Sequence, residues 1–140
     1  MQIDKQFKFE AAHCLDGHAG KCNNLHGHSY RFTVTLAGDL IASGSSAGMV
    51  CDFGDISRVV KAQVLAKLDH SFIYDRNNAN EAQIAELLHQ LGKKVYAMDT
   101  RSTAEHLCQE IASLIQPQLP ALTQVTVYET VSGSASWAVK

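Results

Sequence analysis

The chain has 140 residues, of which 46% are hydrophobic and 19% charged, with a formal net charge of −2. These values are typical of a globular protein, and we predict one domain spanning residues 1–140. Acidic and basic residues are interspersed, so the sequence predicts neither a nucleic-acid-binding face nor a polybasic membrane patch. No segment approaches the roughly 18 consecutive apolar residues of a membrane span.

The amino-terminal segment and the cysteines bear on the cellular compartment. Residues 1–13 alternate in polarity and lack an apolar signal-sequence core, so no signal peptide is predicted. The chain has four cysteines: Cys14, Cys22, Cys51 and Cys108. A chain of this size does not need disulfide bonds for a stable core, and we therefore predict reduced thiols in the cytoplasm.

Two segments near the amino terminus show the alternation of half-buried β-strands. In residues 1–13, the apolar side chains and His13 share one face. In residues 26–36, His26, His28 and the apolar side chains also share a face. The polar segment between these strands is predicted to be a loop.

The period of the apolar residues changes to that of a helix in the middle of the chain. Residues 52–68 form an apolar stripe, with Asp52 or Asp55 as the amino-terminal cap. A second helix is predicted from Asn80 to Leu91, with Gly92 at its carboxyl end. Both segments are long enough for several helical turns.

The last part of the chain contains one more helix and two strands. A third helix starts at Ser102, where Ser102 and Glu105 have the spacing of a capping box, and Pro117 ends it. Residues 124–131 and 135–139 read as strands. The β-β-α-α-β-β order predicts an α+β fold, an antiparallel sheet with its helices packed on one face.

Three histidines should meet at one end of this sheet. His13 ends the first strand and His26 and His28 begin the second, so an antiparallel pairing brings all three to the same apolar face. Three neutral imidazoles with an open fourth position form the ligand set of a catalytic zinc ion. Two alternatives are a set of ordinary hydrogen-bonded histidines and a closed structural site with a fourth ligand from Cys14, His18 or Cys22.

Three further residues could carry acid–base chemistry. Cys22 lies in a polar loop beside Lys21 and near the predicted metal, which favours a thiolate acting as general base or nucleophile; alternatively it is an incidental loop thiol. Asp69 and His70 follow the first helix. The Asp69 carboxylate can fix the tautomer of the imidazole for proton transfer, or His70 is simply favoured at the carboxyl end of a helix.

A structural role is predicted for Glu105 but not for Glu129. Glu129 shares a strand face with Val125, Val127 and Val131, so its carboxylate is expected in apolar surroundings and needs a partner. That partner is either a ligand with several N–H donors or an ordinary Arg or Lys. Glu105 has the predicted capping box as a sufficient structural explanation.

Six segments in this order resemble one protein family over nearly the whole chain. They are FEAAHCL (9–15), GKCNNLHGHSY (20–30), GMVCDFGDIS (48–57), LDHSF (68–72), STAEHL (102–107) and VYETVSGSASW (127–137). The combination resembles the 6-pyruvoyl-tetrahydropterin synthase / 6-carboxy-tetrahydropterin synthase family. This resemblance implies the tunnelling fold, in which trimers form a barrel from edge-to-edge sheets and stack in pairs to hexamers. It also implies active sites at subunit boundaries.

The resemblance implies roles for nine residues and one zinc ion per subunit. They are zinc ligands (His13, His26 and His28), a proton-transfer triad (Cys22, Asp69 and His70) and pterin-pocket residues (Glu129, Thr103 and Glu105). Glu129 would anchor the pterin ring through its guanidine-like N–H groups. The family's substrate is 7,8-dihydroneopterin triphosphate, and the triphosphate requires Lys or Arg residues that the sequence does not identify.

The spacing from Cys22 to His26 is similar to the carboxy branch of the family, in bacterial queuosine and 7-deazaguanine biosynthesis. That branch forms 6-carboxy-5,6,7,8-tetrahydropterin and releases acetaldehyde and triphosphate. The sequence departs from the pattern of this branch at Ser102, at His106 and in the long segment 75–101. A 6-pyruvoyl-tetrahydropterin synthase is therefore an alternative. A zinc-stabilised binding module without turnover is a second alternative. A pterin side-chain aldolase of the same fold is a third, against which the thiol at position 22 argues.

Overall fold

The computed structural model describes residues 1–139. Its strands are β1 (Gln2–His13), β2 (His26–Ala37), β3 (Ser71–Asp75), β4 (Val95–Met98), β5 (Leu122–Tyr128) and β6 (Ser134–Ala138). Its α-helices are α1 (Phe53–Val60), α2 (Ala66–Leu68), α3 (Ala79–Gln90) and α4 (Ala104–Ile115). A π-helical turn, Lys61–Leu65, joins α1 to α2, and Lys21–Asn23 form a 3-10 turn. None of the described helices has the length and apolar character needed to cross a membrane.

All six strands belong to one sheet with the order β4-β3-β1-β2-β5-β6. The pairs β1–β2, β2–β5 and β5–β6 are antiparallel, as the sequence predicts. The pairs β1–β3 and β3–β4 are parallel, so the sheet is mixed rather than wholly antiparallel. Strands of four and five residues were missed because they are too short to show a clear alternation. The α+β class is confirmed, with two strands more than predicted.

The long β1–β2 pair sets the register of the molecule. It pairs Gln2 with Ala37 at one end and His13 with His26 at the other. Phe9 and Tyr30, which face each other in this register, are buried, with ring centroids 4.9 Å apart. A slip of one residue would turn the apolar side chains of a strand to its other face, so burial of these rings also fixes where the histidines point.

One face of the sheet is covered by α1, the π-helical turn, α2 and α4. The first helical segment begins as predicted, with Asp52 accepting a hydrogen bond from the Gly54 N–H at 2.6 Å. Its buried stripe recurs every four residues: Ile56, Val60, Val64 and Leu68. In a regular α-helix, side chains four residues apart do not stay strictly on the same face. The wider π-helical turn keeps these apolar side chains facing the core.

Helix α3 contradicts the prediction that all helices pack on one face. Ile73 of β3 belongs to the main core, whereas Phe72 belongs to a separate cluster with Ala85 of α3. Successive strand residues point to opposite faces, so α3 lies across the sheet from α1 and α4. Leu87 of α3 and Leu91, which follows it, are 58% and 63% exposed, because α3 contacts the sheet along a narrow strip only.

Candidate metal centre and two adjoining cavities

The three predicted histidines converge at the end of the β1–β2 pair. The Nε2 atoms of His13 and His26 are 3.2 Å apart, and those of His26 and His28 are 3.0 Å apart. One ring nitrogen from each residue lies within 4.8 Å of the others. The register causes this convergence, since His13 pairs with His26 and Ala11 pairs with His28.

Backbone carbonyls orient two of the three rings. The Nδ1–H of His13 donates to the carbonyl oxygen of Ser102 at 2.9 Å, and that of His26 donates to the carbonyl oxygen of Asn24 at 2.7 Å. Because a carbonyl only accepts, both rings carry the proton on Nδ1 and a lone pair on Nε2. Because no hydrogen lies between the facing Nε2 lone pairs of His13 and His26, these two nitrogens do not hydrogen-bond to each other. The cluster therefore suits a cation. Two Zn–N bonds at a tetrahedral angle separate their nitrogens by roughly 3.3 Å, close to the observed distances.

Burial favours the neutral imidazole at two of the three histidines, His13 and His28. His13 is 1% exposed, and burial lowers the pKa of its ring to about 4, a change that His26 and His28 reinforce. Burial also lowers the pKa of His28. The hydroxyl of Tyr30 lies 3.4 Å from Nδ1 of His13. Neutral imidazoles are the form that binds metal, so burial favours the metal-binding form of His13 and His28.

The described residues do not form the closed structural site that was the alternative. Among residues 1–139, the only group of metal-ligating side chains close enough to hold an ion is the three histidines, without Cys14, His18 or Cys22. Cys14 is buried, and burial raises the pKa of its thiol to about 11. The arrangement therefore leaves room for an exogenous fourth ligand.

Glu129 lies beside the histidines rather than in apolar surroundings. Its Oε1 atom is 3.7 Å from Nε2 of His13 and 3.8 Å from Nε2 of His28, and its side chain is 28% exposed. The expectation of apolar neighbours was wrong because β5 ends at Tyr128, one residue earlier, and Val131 is exposed. The carboxylate thus faces the metal-binding edge of the rings.

A cavity of about 480 Å³ adjoins this edge, and we call it the cysteine cavity. Its lining includes four residues predicted for the active site and two that were not: Cys22, Thr103, Glu105, Glu129, His18 and Arg101. Cys22 is partly exposed at the 3-10 turn between β1 and β2. The structure therefore brings the thiol and the proposed pterin-binding residues together in one chain.

The start of α4 changes the interpretation of Glu105. Thr103, not Ser102, caps the helix, and its hydroxyl accepts from the His106 N–H at 3.5 Å. The predicted capping box does not form, because Glu105 then occupies the second helical position instead of the third. Glu105 is exposed and lines the cysteine cavity, so its carboxylate is available to a ligand.

Asp69 and His70 form a pair in a strained loop. Oδ1 of Asp69 lies 3.0 Å from Nδ1 of His70 and accepts from the Glu10 N–H at 2.9 Å. The Glu10 hydrogen bond lowers the pKa of Asp69, and the neighbouring His70 adds to this effect. His70 has φ +59°, the one positive φ among the non-glycine residues described. Helix α2 ends at Leu68 with Asp69 as its carboxyl-terminal cap, and His70 is the first residue beyond that cap.

His70 lines a second cavity of about 580 Å³, which we call the sheet-face cavity. Gly27, Phe72 and Lys94 also line it, and the His70 side chain is 76% exposed. Cys22 does not line this cavity, and His70 does not line the cysteine cavity. Within one chain, the structure therefore does not assemble the predicted proton-transfer triad.

Sequence reasoning missed the groups that position the histidines. The carbonyls of Ser102 and Asn24 are backbone atoms, which carry no signature in a sequence. Tyr30 could have been found, because it lies two residues after His28 on the same strand face. Arg101 could be suspected only from its position next to the STAEHL segment.

Comparison with known proteins assigns this α+β chain, which carries three clustered histidines, to a single protein family. The 6-pyruvoyl tetrahydropterin synthase family model matches residues 2–138. The chain is 42% identical over 130 residues to a 6-carboxy-5,6,7,8-tetrahydropterin synthase of Haemophilus influenzae, covering 92% of each. It is 28% identical over 144 residues to the 6-pyruvoyl tetrahydrobiopterin synthase of Homo sapiens, covering 92% of this chain and 85% of that protein. The chain belongs to the 6-pyruvoyl tetrahydropterin synthase family.

Solved structures support the same fold. A Wolinella succinogenes protein matches with a TM-score of 0.82 and 20% identity, covering 100% of this chain and 98% of its own. The 6-pyruvoyl tetrahydropterin synthase of Caenorhabditis elegans matches with a TM-score of 0.69 and 23% identity, covering 100% and 96%. The predicted tunnelling fold is confirmed.

Proposed function

We propose that the chain is a zinc-dependent lyase converting 7,8-dihydroneopterin triphosphate to 6-carboxy-5,6,7,8-tetrahydropterin, with release of acetaldehyde and triphosphate. The observation that carries this proposal is the three-histidine cluster, beside which lies Glu129, a residue that lines the same cavity as Cys22. The 42% identical relative named 6-carboxy-5,6,7,8-tetrahydropterin synthase favours the carboxy product over the pyruvoyl product. The reaction would belong to queuosine biosynthesis in the cytoplasm, and four free thiols fit that reducing compartment.

The three Nε2 atoms would hold the zinc ion. His13 and His26 are already oriented by backbone carbonyls, so little side-chain entropy is lost when the ion binds. When bound, zinc acts as a Lewis acid toward oxygen atoms of the substrate side chain. We expect about one ion per chain, with the fourth position open to substrate.

The cysteine cavity would bind the pterin and accept a proton from it. The Glu129 carboxylate would accept hydrogen bonds from ring N–H groups, and Thr103 and Glu105 would contribute to the pocket. Cys22 also lines this cavity and would act as the proton acceptor. Cys22 and Glu129 line the same cavity, and Glu129 lies beside the histidines, which suits a substrate that reaches from the cavity to the metal.

Asp69 and His70 would complete proton transfer from another subunit. The Asp69 carboxylate fixes the orientation of the His70 ring, which is exposed and lies outside the cysteine cavity. An exposed, strained acid–base pair is a candidate for function at a surface that another chain approaches. The proposed assembly is a trimer or a dimer of trimers, in which such surfaces meet.

Product analysis tests the proposal. Purified protein should be incubated with 7,8-dihydroneopterin triphosphate, and the products separated and identified by mass spectrometry. The proposal predicts 6-carboxy-5,6,7,8-tetrahydropterin, acetaldehyde and triphosphate, with about 10²-fold slower turnover by Cys22→Ser at unchanged metal content. A 6-pyruvoyl product would establish the alternative chemistry, and absence of turnover in metal-loaded protein would favour a binding module.

A further inference from the structure

Arg101 is the arginine of the cysteine cavity, and the loop that carries Cys22 holds it in place. One guanidinium nitrogen, Nη2, donates to the carbonyl oxygens of Leu15 at 3.2 Å and Asp16 at 2.8 Å. The Leu15 N–H in turn donates to the carbonyl oxygen of Cys22 at 2.8 Å. The guanidinium is therefore anchored at the edge of the cavity through a single nitrogen.

The remaining N–H groups of Arg101 have no hydrogen-bond partner within residues 1–139. Neither carboxylate of the cavity, Glu105 or Glu129, forms an ion pair with it. An anchored guanidinium with free donors can bind an anion bidentately without losing much side-chain freedom.

His18 adds a second donor to the same cavity. Its Nδ1 atom accepts a hydrogen bond from the Gly20 N–H at 2.8 Å. A neutral imidazole that accepts at Nδ1 carries its proton on Nε2, and this N–H is the group left for a ligand. The cavity therefore combines two carboxylates with two cationic or N–H-donating side chains.

We propose that Arg101 binds phosphate oxygens of the substrate, with the Nε2–H of His18 as a second donor. This inference rests on the proposed function. The substrate carries N–H donors on its pterin ring and negative charge on its phosphates, and the cavity offers carboxylates for the ring and a guanidinium for the phosphates. Arg101 is thus assigned as a binding residue that discriminates phosphorylated from unphosphorylated pterins.

Binding measurements with two unreactive ligands test this role. Neopterin and neopterin triphosphate would be titrated into zinc-loaded wild type, Arg101→Gln and Arg101→Lys by calorimetry. We expect Arg101→Gln to bind the triphosphate about 10- to 100-fold more weakly, because a charge-assisted hydrogen bond is lost, while neopterin affinity stays within about twofold. Arg101→Lys should lose less affinity, since it keeps the charge but not the bidentate geometry.

Arg76→Gln is the matched control. Arg76 also donates to a backbone carbonyl, that of Ala97, and pairs with Asp99 outside both cavities. Its replacement should leave both affinities unchanged. Melting temperature and zinc content of each variant show whether the loop has been disturbed.

Three outcomes would overturn the inference. An equal loss for both ligands in Arg101→Gln would show that Arg101 only holds the loop. Unchanged triphosphate affinity in both Arg101 variants would show that it does not contact the phosphates. If wild-type protein bound neither ligand, the proposed function itself would fail, whereas the first two outcomes leave that function standing.

Discussion

Two side chains of the candidate metal centre are positioned by backbone carbonyl groups. His13 is held by a carbonyl of the segment before α4, and His26 by a carbonyl of its own loop. These bonds select the tautomer whose lone pair points at the other histidines. Burial then keeps His13 neutral, so the ligand form is the resting form.

Replacing Glu129 by glutamine tests whether its carboxylate binds the pterin ring. Glu129→Gln keeps the shape of the side chain and removes its charge, so neopterin should bind about 10- to 100-fold more weakly, the effect of losing a charge-assisted hydrogen bond. Zinc content should not change, because the three imidazoles remain. Glu86→Gln, at an exposed position on α3, is the control. Unaltered neopterin affinity in Glu129→Gln would mean that the carboxylate serves another partner.

Asp69→Asn tests the role of the carboxylate in holding its loop. The pKa of Asp69 is lowered from its ordinary 3.8, so its ionised form favours the folded state. That stability is present above the ordinary pKa and is lost as the pH falls through the lower folded value. The melting-temperature difference between wild type and Asp69→Asn should be constant from about pH 7 to about pH 5 and shrink toward about pH 3. An equally pH-dependent difference for exposed Asp39→Asn would contradict this account.

The β1–β2 pair brings the three histidines together, and Gly27 lies where the two strands approach closely. A Cβ atom on Gly27 would lie 3.1 Å from the carbonyl oxygen of Ala11, a backbone atom that cannot rotate away. Gly27→Ala should therefore push the strands apart between His26 and His28. We expect a loss of roughly 1–3 kcal/mol in the free energy of unfolding and a weaker zinc affinity.

Gly38→Ala, one residue beyond the end of β2, is the matched control. A Cβ there would meet only a Val50 side-chain carbon at 3.7 Å, an ordinary contact. Chemical denaturation and zinc titration of both variants would measure the effects. Normal zinc affinity in Gly27→Ala would show that close approach of these strands is not needed for the metal centre.

Elements whose apolar pattern is regular over many residues could be predicted from the sequence. The two short strands and the packing of α3 could not. β1 and β2 alternate over 12 residues each, and the alternation alone places His13, His26 and His28 on one face. β3 and β4 are too short for such a pattern. The face on which α3 packs depends on the parallel strand pairs, which are tertiary information.

The candidate site, too, could be predicted only in part from the sequence. Convergence of the histidines follows from strand register, and the sequence therefore predicts it. The neighbours of Glu129 depend on where β5 stops, and the capping box depends on which residue caps α4. The apolar neighbours of Glu129 and the capping box of Ser102 and Glu105 were therefore predicted wrongly. The separation of Cys22 from His70 reflects the three-dimensional arrangement of two loops, which no local pattern reports.

The whole molecule has features of a subunit. β4 and β6 are the outer strands of the sheet and pair on one side only within the chain. Unpaired strand edges favour association with another sheet. Cys22 and His70 line different cavities of the chain, and we expect a site that uses both to combine loops of two chains.

Mixing two inactive variants tests a site shared between chains. Cys22→Ala and His70→Ala should each be inactive alone, and unfolding and refolding them together should restore part of the activity, because some mixed sites contain neither lesion. Cys22→Ala mixed with Glu129→Ala is the control, since these residues line one cavity and should not complement each other. A fully active species with the mass of one 15.3 kDa chain in light scattering would contradict the shared site.

Metal analysis of wild type and His26→Ala tests the central claim most directly. Elemental analysis of the purified proteins should find about one zinc ion per chain in wild type. His26→Ala should lose both the metal and pterin synthase activity, because His26 lies between the other two ligands. His89→Ala, at an exposed position on α3, should retain both. Full zinc occupancy in His26→Ala, or full activity of wild type after zinc removal, would contradict the account.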